Sequence, residues 1–232
     1  MHTRCYLVRH AQSLWNSEHR LQSHSDVPLS PVGWEQAKRL GELFASFHLK
    51  AIFTSELLRC RQTAQVIAQA DGSSRLVRLE RELAEMHLGQ WEGLTPEEVD
   101  LQFQGAYQQW RLSPSSISIP GAEPIEVFRA RVRRVLQRIL GSFGEGECVV
   151  VTHGGVIAAV LADALQADYD VFLRRVQLDN AGVSALECVP QASHPYVLWV
   201  NSTAHLGAVR DPSAGMAGSP RLSGRPSPPA SA

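Results

Sequence analysis

Two periodicities alternate along this chain. Short apolar runs stand at residues 5–8, 51–54 and 148–152, each followed directly by polar residues, as in buried strands. Longer stretches between them carry apolar residues three and four apart. Residues 33–47 place Ala37, Leu40, Phe44 and Phe47 on one helical face. Residues 123–143 do the same with Ile125, Phe128, Val132, Val135 or Leu136, and Ile139. Residues 57–70, 95–110 and 155–165 also read as helices. Thr54 or Ser55 is the expected N-cap of the first, and Thr95-Pro96-Glu97-Glu98 is a favourable opening turn for the second. Residues 76–79, 183–188 and 196–200 complete the set of strands. Such alternation predicts an α/β fold, a three-layer α/β/α sandwich around a mainly parallel sheet. Sheets of this kind bind ligands beyond the carboxyl ends of their strands.

Composition narrows the partners. The 232 residues are 44% hydrophobic, enough for one domain with a sizeable core. With 22 basic and 23 acidic residues the formal net charge is -1, so no nucleic-acid partner is expected and any anion site must be local. No apolar run approaches the ~18 residues that a bilayer span requires, so no membrane partner is expected. The N-terminus lacks an apolar signal region, and Cys5, Cys60, Cys148 and Cys188 show no metal-ligand spacing; both features predict a cytoplasmic protein with reduced thiols. Five arginines at 129, 131, 133, 134 and 138 lie mostly off the apolar stripe of their helix and read as a solvated basic face. Beyond Gly207 the chain turns to Gly, Pro and Ser, so the domain is expected to span residues 1–206 and a disordered tail residues 207–232.

The candidate chemistry sits just after strands. Arg9-His10 follows the first strand, Ser55 to Arg59 follows the second and opens a helix, and Thr152-His153-Gly154-Gly155 follows a later one and opens another. Two histidines and two arginines would therefore meet at one edge of the sheet. Phosphoryl transfer calls for such a set. Arginine forks match phosphate oxygens, helix N-termini add N–H donors, and a neutral imidazole can attack phosphorus. A group that protonates the leaving oxygen is also needed. Glu82, Glu85 and His87 all suit that role by chemistry.

Together these segments resemble the histidine phosphatase superfamily, the phosphoglycerate-mutase-like proteins. Arg9-His10-Ala11-Gln12-Ser13-Leu14-Trp15-Asn16 is similar to the family's R-H-G-[ED]-[ST]-x-x-N signature. Ser55-Glu56-Leu57-Leu58-Arg59-Cys60-Arg61-Gln62-Thr63-Ala64 resembles its S-x-L-x-R-x-x-x-T-A segment. Glu85-Met86-His87-Leu88-Gly89-Gln90-Trp91-Glu92-Gly93 resembles E-x-x-x-G-x-W-E-G, and Val150 to Gly155 resembles the second-histidine motif. The likeness runs from about Arg4 to Leu206. It implies a phosphoglycerate mutase-like fold, His10 as phosphorylated nucleophile and Glu85 as proton donor. It also implies that Arg9, Asn16, Arg59 and His153 line the phosphate pocket, and that Gln22 and Ser23 lie on a substrate-contacting loop. The family's mechanism uses no metal or other cofactor. Three departures stand out: Ala11 for glycine, Gln12 for an acid, and Ser23 where glycine is common.

The function expected is metal-independent hydrolysis of a small phosphorylated metabolite, with a homodimer compatible with the sequence. A phosphoglycerate mutase is the second reading; such mutases usually carry a longer insertion between the acid and the second histidine. A non-catalytic binding module acting through the tail is the third. Trp91, Tyr107 and Trp110 would either pack in the core or touch an organic leaving group.

Overall fold

Along each central strand, successive side chains enter two different cores. Cys5 and Leu7 of β1 (Thr3–Arg9) pack on one side of the sheet, Tyr6 and Val8 on the other. β2 (Leu49–Thr54) divides Ala51 and Phe53 from Ile52 in the same way, and β4 (Gly146–Thr152) divides Cys148 and Val150 from Val149 and Val151. A strand buried on both faces has no polar side to show, and this is why these strands read as continuous apolar runs. The computed structural model describes residues 2–70, 76–143, 145–189 and 192–211.

The six-stranded sheet has the order β3-β2-β4-β1-β5-β6, where β3 is Val77–Leu79, β5 is Val183–Cys188 and β6 is Tyr196–Ser202. The pairings β2–β3, β2–β4 and β1–β4 are parallel; β5 runs antiparallel to both β1 and β6. Helices α2 (Pro31–Phe44) and α3 (Leu58–Gln69) cover one face. α4 (Pro96–Gln102), α5 (Ala106–Leu112), α6 (Ile125–Phe143), α7 (Gly154–Ala164) and α8 (Tyr169–Arg175) build the other, with the short α1 (Leu14–Ser17) near the strand ends. The expected sandwich is therefore present. No helix of the described residues is long and apolar enough to cross a membrane.

Several local expectations are corrected. The helix expected over 95–110 is two helices, because Gln104 and Gly105 adopt positive φ (56° and 78°) and break the ladder. α8 was not anticipated. α3 is not capped by Thr54 or Ser55: its N-cap Leu57 offers no side-chain acceptor, and the distant Asp26 carboxylate accepts the Leu58 N–H instead. The basic face of α6 is not uniformly solvated. Arg134 and Arg138 lie at the surface on Glu80 and Glu82, but Arg131 is turned inward. The first residues of the expected tail are ordered. Residues 204–209 form a 3-10 segment, Arg210 reaches the buried Asp179 at 2.9 Å, and Asp211 accepts from Gln12 at 2.8 Å. The remainder of that segment, 212–232, lies outside the described residues.

One close approach ties the helical layer to the end of β1. Ser30 caps α2 by accepting the Gly33 N–H, and its own N–H donates to the Gln12 carbonyl at 2.9 Å. Gly33 lies so close that an added Cβ would stand 1.9 Å from the Gln12 oxygen. Gly33→Ala is therefore expected to cost about 1–3 kcal/mol, the usual range for overpacking. Chemical denaturation checks this; an unchanged midpoint would mean that α2 can slide away from residue 12 freely.

Candidate active site

The sheet register brings the candidate residues level. Arg9 stands opposite Thr152 in the β1–β4 ladder, and Thr54 stands opposite Val151 in the β2–β4 ladder. The ladders continue one step past the strands: the His10 N–H donates to Thr152 O at 2.9 Å and the Ser55 N–H to Val151 O at 3.1 Å. His10, Ser55 and His153 thus leave adjacent parallel strands at the same height. The 3-10 turn Arg81–Leu83 after β3 carries the chain on to Glu85.

The corner at His10 is fully paired. Its carbonyl accepts from Ala181 N (3.2 Å) and Asn180 Nδ2 (3.1 Å). Ala11 N donates to Thr63 Oγ1 (3.1 Å), and Gln12 N to Gln36 Oε1 (2.9 Å). The Ala11 carbonyl lies 2.8 Å from His10 Nδ1. A carbonyl only accepts, so Nδ1 carries the proton and Nε2 keeps its lone pair. Ala11 is not among the residues with positive φ, so the substitution for glycine imposes no backbone strain; its methyl packs in the core under α2 and α3. Gln12, in place of an acid, donates to Asp211, where a second carboxylate would be repelled.

Both imidazoles are buried, with ring centroids 5.2 Å apart. Burial first, then the charges of Arg59 and Arg9, hold His10 well below its ordinary pKa, while the Ala11 carbonyl pulls the other way. Burial and Arg59 hold His153 low as well. Both rings are therefore neutral at pH 7. His153 Nδ1 lies 3.3 Å from Arg59 Nη2; a guanidinium has only donors, so Nδ1 accepts and Nε2–H donates to Ser55 Oγ at 2.9 Å.

The two arginines are buried with them. Arg9 donates to Leu178 O at 2.7 Å, and burial pushes its pKa down to about 10. Arg59, in the first turn of α3, donates to Ser23 O (2.8 Å) and Ser25 O (2.9 Å), which fixes the loop bearing Gln22. Ser13 Oγ donates to Gln22 Oε1 at 2.8 Å, while Gln22 Nε2 and Arg59 Nε are buried donors with no acceptor among the described residues. Asn16 Oδ1 accepts from Ser13 N and Asn180 Nδ2 (3.0 and 3.1 Å), and the same Asn180 amide donates to the His10 carbonyl. Ser23 has a framework role: its hydroxyl accepts the Leu88 N–H at 3.0 Å.

Of the three rivals for proton donor, only Glu85 points its carboxylate at the strand-end cluster. Oε2 accepts the Gly155 N–H at the head of α7 (2.9 Å), and a Cβ on Gly155 would lie 2.4 Å from Oε1, so glycine is required there. Glu82 is occupied by Arg138 and Arg134 at the surface, and His87 Nδ1 faces the Gly121 carbonyl. Trp91 and Tyr107 are core residues and Trp110 stacks on Tyr107; none serves as an open wall of the site. Sequence reasoning gave no site role to Ser55, Thr63, Gln36, Asn180, Arg131 or Asp211. The family-like stretches include Ser55, Thr63, Gln36 (in residues 26–37) and Asn180, but nothing local marks Arg131 or Asp211.

Comparison with known proteins agrees with this architecture. Residues 5–202 match the family model of the histidine phosphatase superfamily, branch 1. The chain is 31% identical over 201 residues to phosphoserine phosphatase 1 of Hydrogenobacter thermophilus, covering 87% of this chain and 93% of that one. It is 33% identical over 189 residues to a 2-carboxy-D-arabinitol-1-phosphatase of Triticum aestivum, covering 81% of this chain but only 37% of that longer protein. The solved structure of a mycobacterial glucosyl-3-phosphoglycerate phosphatase superimposes with a TM-score of 0.78 at 27% identity, covering 88% of this chain and all of that one. With nearly the whole ordered domain inside the family match, the chain belongs to the histidine phosphatase superfamily, branch 1.

Proposed function

We propose that the chain hydrolyses a small-molecule phosphate monoester without a metal, by way of a phosphohistidine at His10. One observation carries this reading: a neutral, buried imidazole with its proton committed to Ala11 O, so that Nε2 is a nucleophile beside two buried guanidiniums. In the first step Nε2 attacks phosphorus and the P–O ester bond breaks, with Glu85 giving its proton to the leaving oxygen. In the second the Glu85 carboxylate takes a proton from water, the hydroxide attacks phosphorus, and the P–N bond breaks to return His10 and release phosphate. Arg9, Arg59, Gln22 Nε2 and Asn16 supply the donors for the equatorial oxygens. His153 joins them by exchanging Ser55 for a phosphoryl oxygen. The names of the relatives point to phosphorylated metabolites as the substrate class. Hydrolysis is favoured over mutase action because the segment from Glu85 to His153 carries no long insertion that would shield the pocket from water. Four free cysteines suit a reducing compartment such as the cytoplasm.

Purified protein in EDTA is expected to turn over an aryl phosphate, and His10→Ala to abolish this with the fold retained. More than a tenth of wild-type activity in that variant would remove His10 as nucleophile. Glu85→Gln should slow an alkyl phosphate by about 10²-fold or more, within the range for a general acid, and an aryl phosphate far less; a uniform loss across a leaving-group series would exclude the role. The depressed pKa of His10 also fixes a pH response. An ordinary imidazole would lose about threefold in its neutral form between pH 7 and pH 6, whereas buried His10 keeps its lone pair over that range. kcat at saturating aryl phosphate should therefore change by less than half from pH 7 to pH 6; a threefold fall tracking imidazole titration would show that the nucleophile is solvated and protonatable.

A further inference from the structure

Arg131 projects from the middle of α6 into the turn that carries Glu85. It is 13% exposed. Its five N–H groups meet five acceptors: Nη1 donates to the carbonyls of Glu82 (2.8 Å) and Ala84 (2.7 Å), and Nη2 to that of Glu85 (2.9 Å). Nε and Nη2 donate to the two oxygens of Glu123, each at 2.8 Å. Three carbonyls within four residues thus converge on one cation, an arrangement that neither helix nor strand produces. On the other side of the turn His24 Nε2 lies 2.9 Å from the same Glu85 carbonyl. With its backbone gripped this way, Glu85 places its carboxylate on the Gly155 N–H at the head of α7, while its other oxygen accepts the Met86 N–H (2.9 Å each).

We propose that Arg131 is a positioning residue for the proton donor: it fixes the backbone of residues 82–85 so that the Glu85 carboxylate is held at the strand-end cluster. This inference rests on Glu85 being the general acid. Arginine is needed because the fork must reach three carbonyls and a carboxylate at once. Lysine offers three donors from one atom and cannot span them. Glu123 neutralises the guanidinium and holds it from the far side, and its N–H also donates to His87 O (2.9 Å), extending the grip one residue beyond Met86.

The test is kcat/KM of the full chain on an alkyl phosphate and on nitrophenyl phosphate, for Arg131→Lys, Glu85→Gln and the double variant. A merely structural arginine would lower both substrates alike. The expected result is a loss of tenfold or more on the alkyl ester with less than threefold on the aryl ester. The double variant should be no slower than Glu85→Gln alone, because the two residues act through one carboxylate. A selective Glu85→Gln beside a non-selective Arg131→Lys, or a double variant slower by a further tenfold, would overturn the proposal alone. A non-selective Glu85→Gln would overturn the acid assignment and the proposal with it. Should Arg131→Lys not yield folded protein, Glu123→Gln carries the same test: a fall on the alkyl ester at least threefold larger than on the aryl ester supports the positioning role, and equal falls overturn it.

Discussion

The pairing of β1 with β4, with Arg9 opposite Thr152, is the constraint from which the site follows. Parallel strands in register end at one height, and the residues that follow them must turn away together. A slip of one residue would exchange the faces of every side chain on β1 and place Leu7 where Val8 now packs. Both faces of this strand are buried, so such a slip would misfit two cores at once. The same burial that makes these strands apolar fixes where His10 and His153 emerge.

Electrostatics at that edge run against ordinary expectation. Two guanidiniums are buried beside two imidazoles, and the desolvation cost is met by hydrogen bonds to backbone carbonyls: Leu178 for Arg9, Ser23 and Ser25 for Arg59. The imidazoles respond by staying neutral. The positive charge of the arginines disfavours imidazolium and favours a phosphoryl anion, so in the proposed reaction one set of charges serves both the nucleophile and its target. Asp179, itself buried, is satisfied by Gln177, Asn201 and Arg210, so the segment after β6 completes the wall behind Arg9.

Glu85, the proposed acid, is held by a separate device. Glu85 sits on no regular strand or long helix, only on a turn between a 3-10 segment and an irregular loop. Its position is imposed largely from outside, by Arg131 and His24 on its carbonyl and by the Gly155 N–H on its carboxylate, which also accepts the neighbouring Met86 N–H. His10 is thus fixed by sheet register, whereas Glu85 depends on side chains from α6 and from the loop after β1.

Local order decided the strands and most helices: the continuous apolar runs at β1, β2 and β4 and the stripe Phe128, Val132, Val135 and Ile139 are short-range patterns and were legible from sequence. So was the placing of His10 and His153 after strands, and the family-like segments marked Arg59 and Glu85. The residues that make the site work as a unit were not legible. Thr63 on Ala11, Asn180 on His10, Asp211 on Gln12 and Arg131 on Glu85 are contacts between residues 46 to 199 positions apart. A local pattern records which face of an element is apolar; it carries no information on which polar side chain of a distant element will meet it. Arg131 shows the limit well, since its sequence context is that of its solvated neighbours Arg133 and Arg134. Only the packing of α6 against the Glu85 turn, where buried carbonyls require a donor, distinguishes it from them.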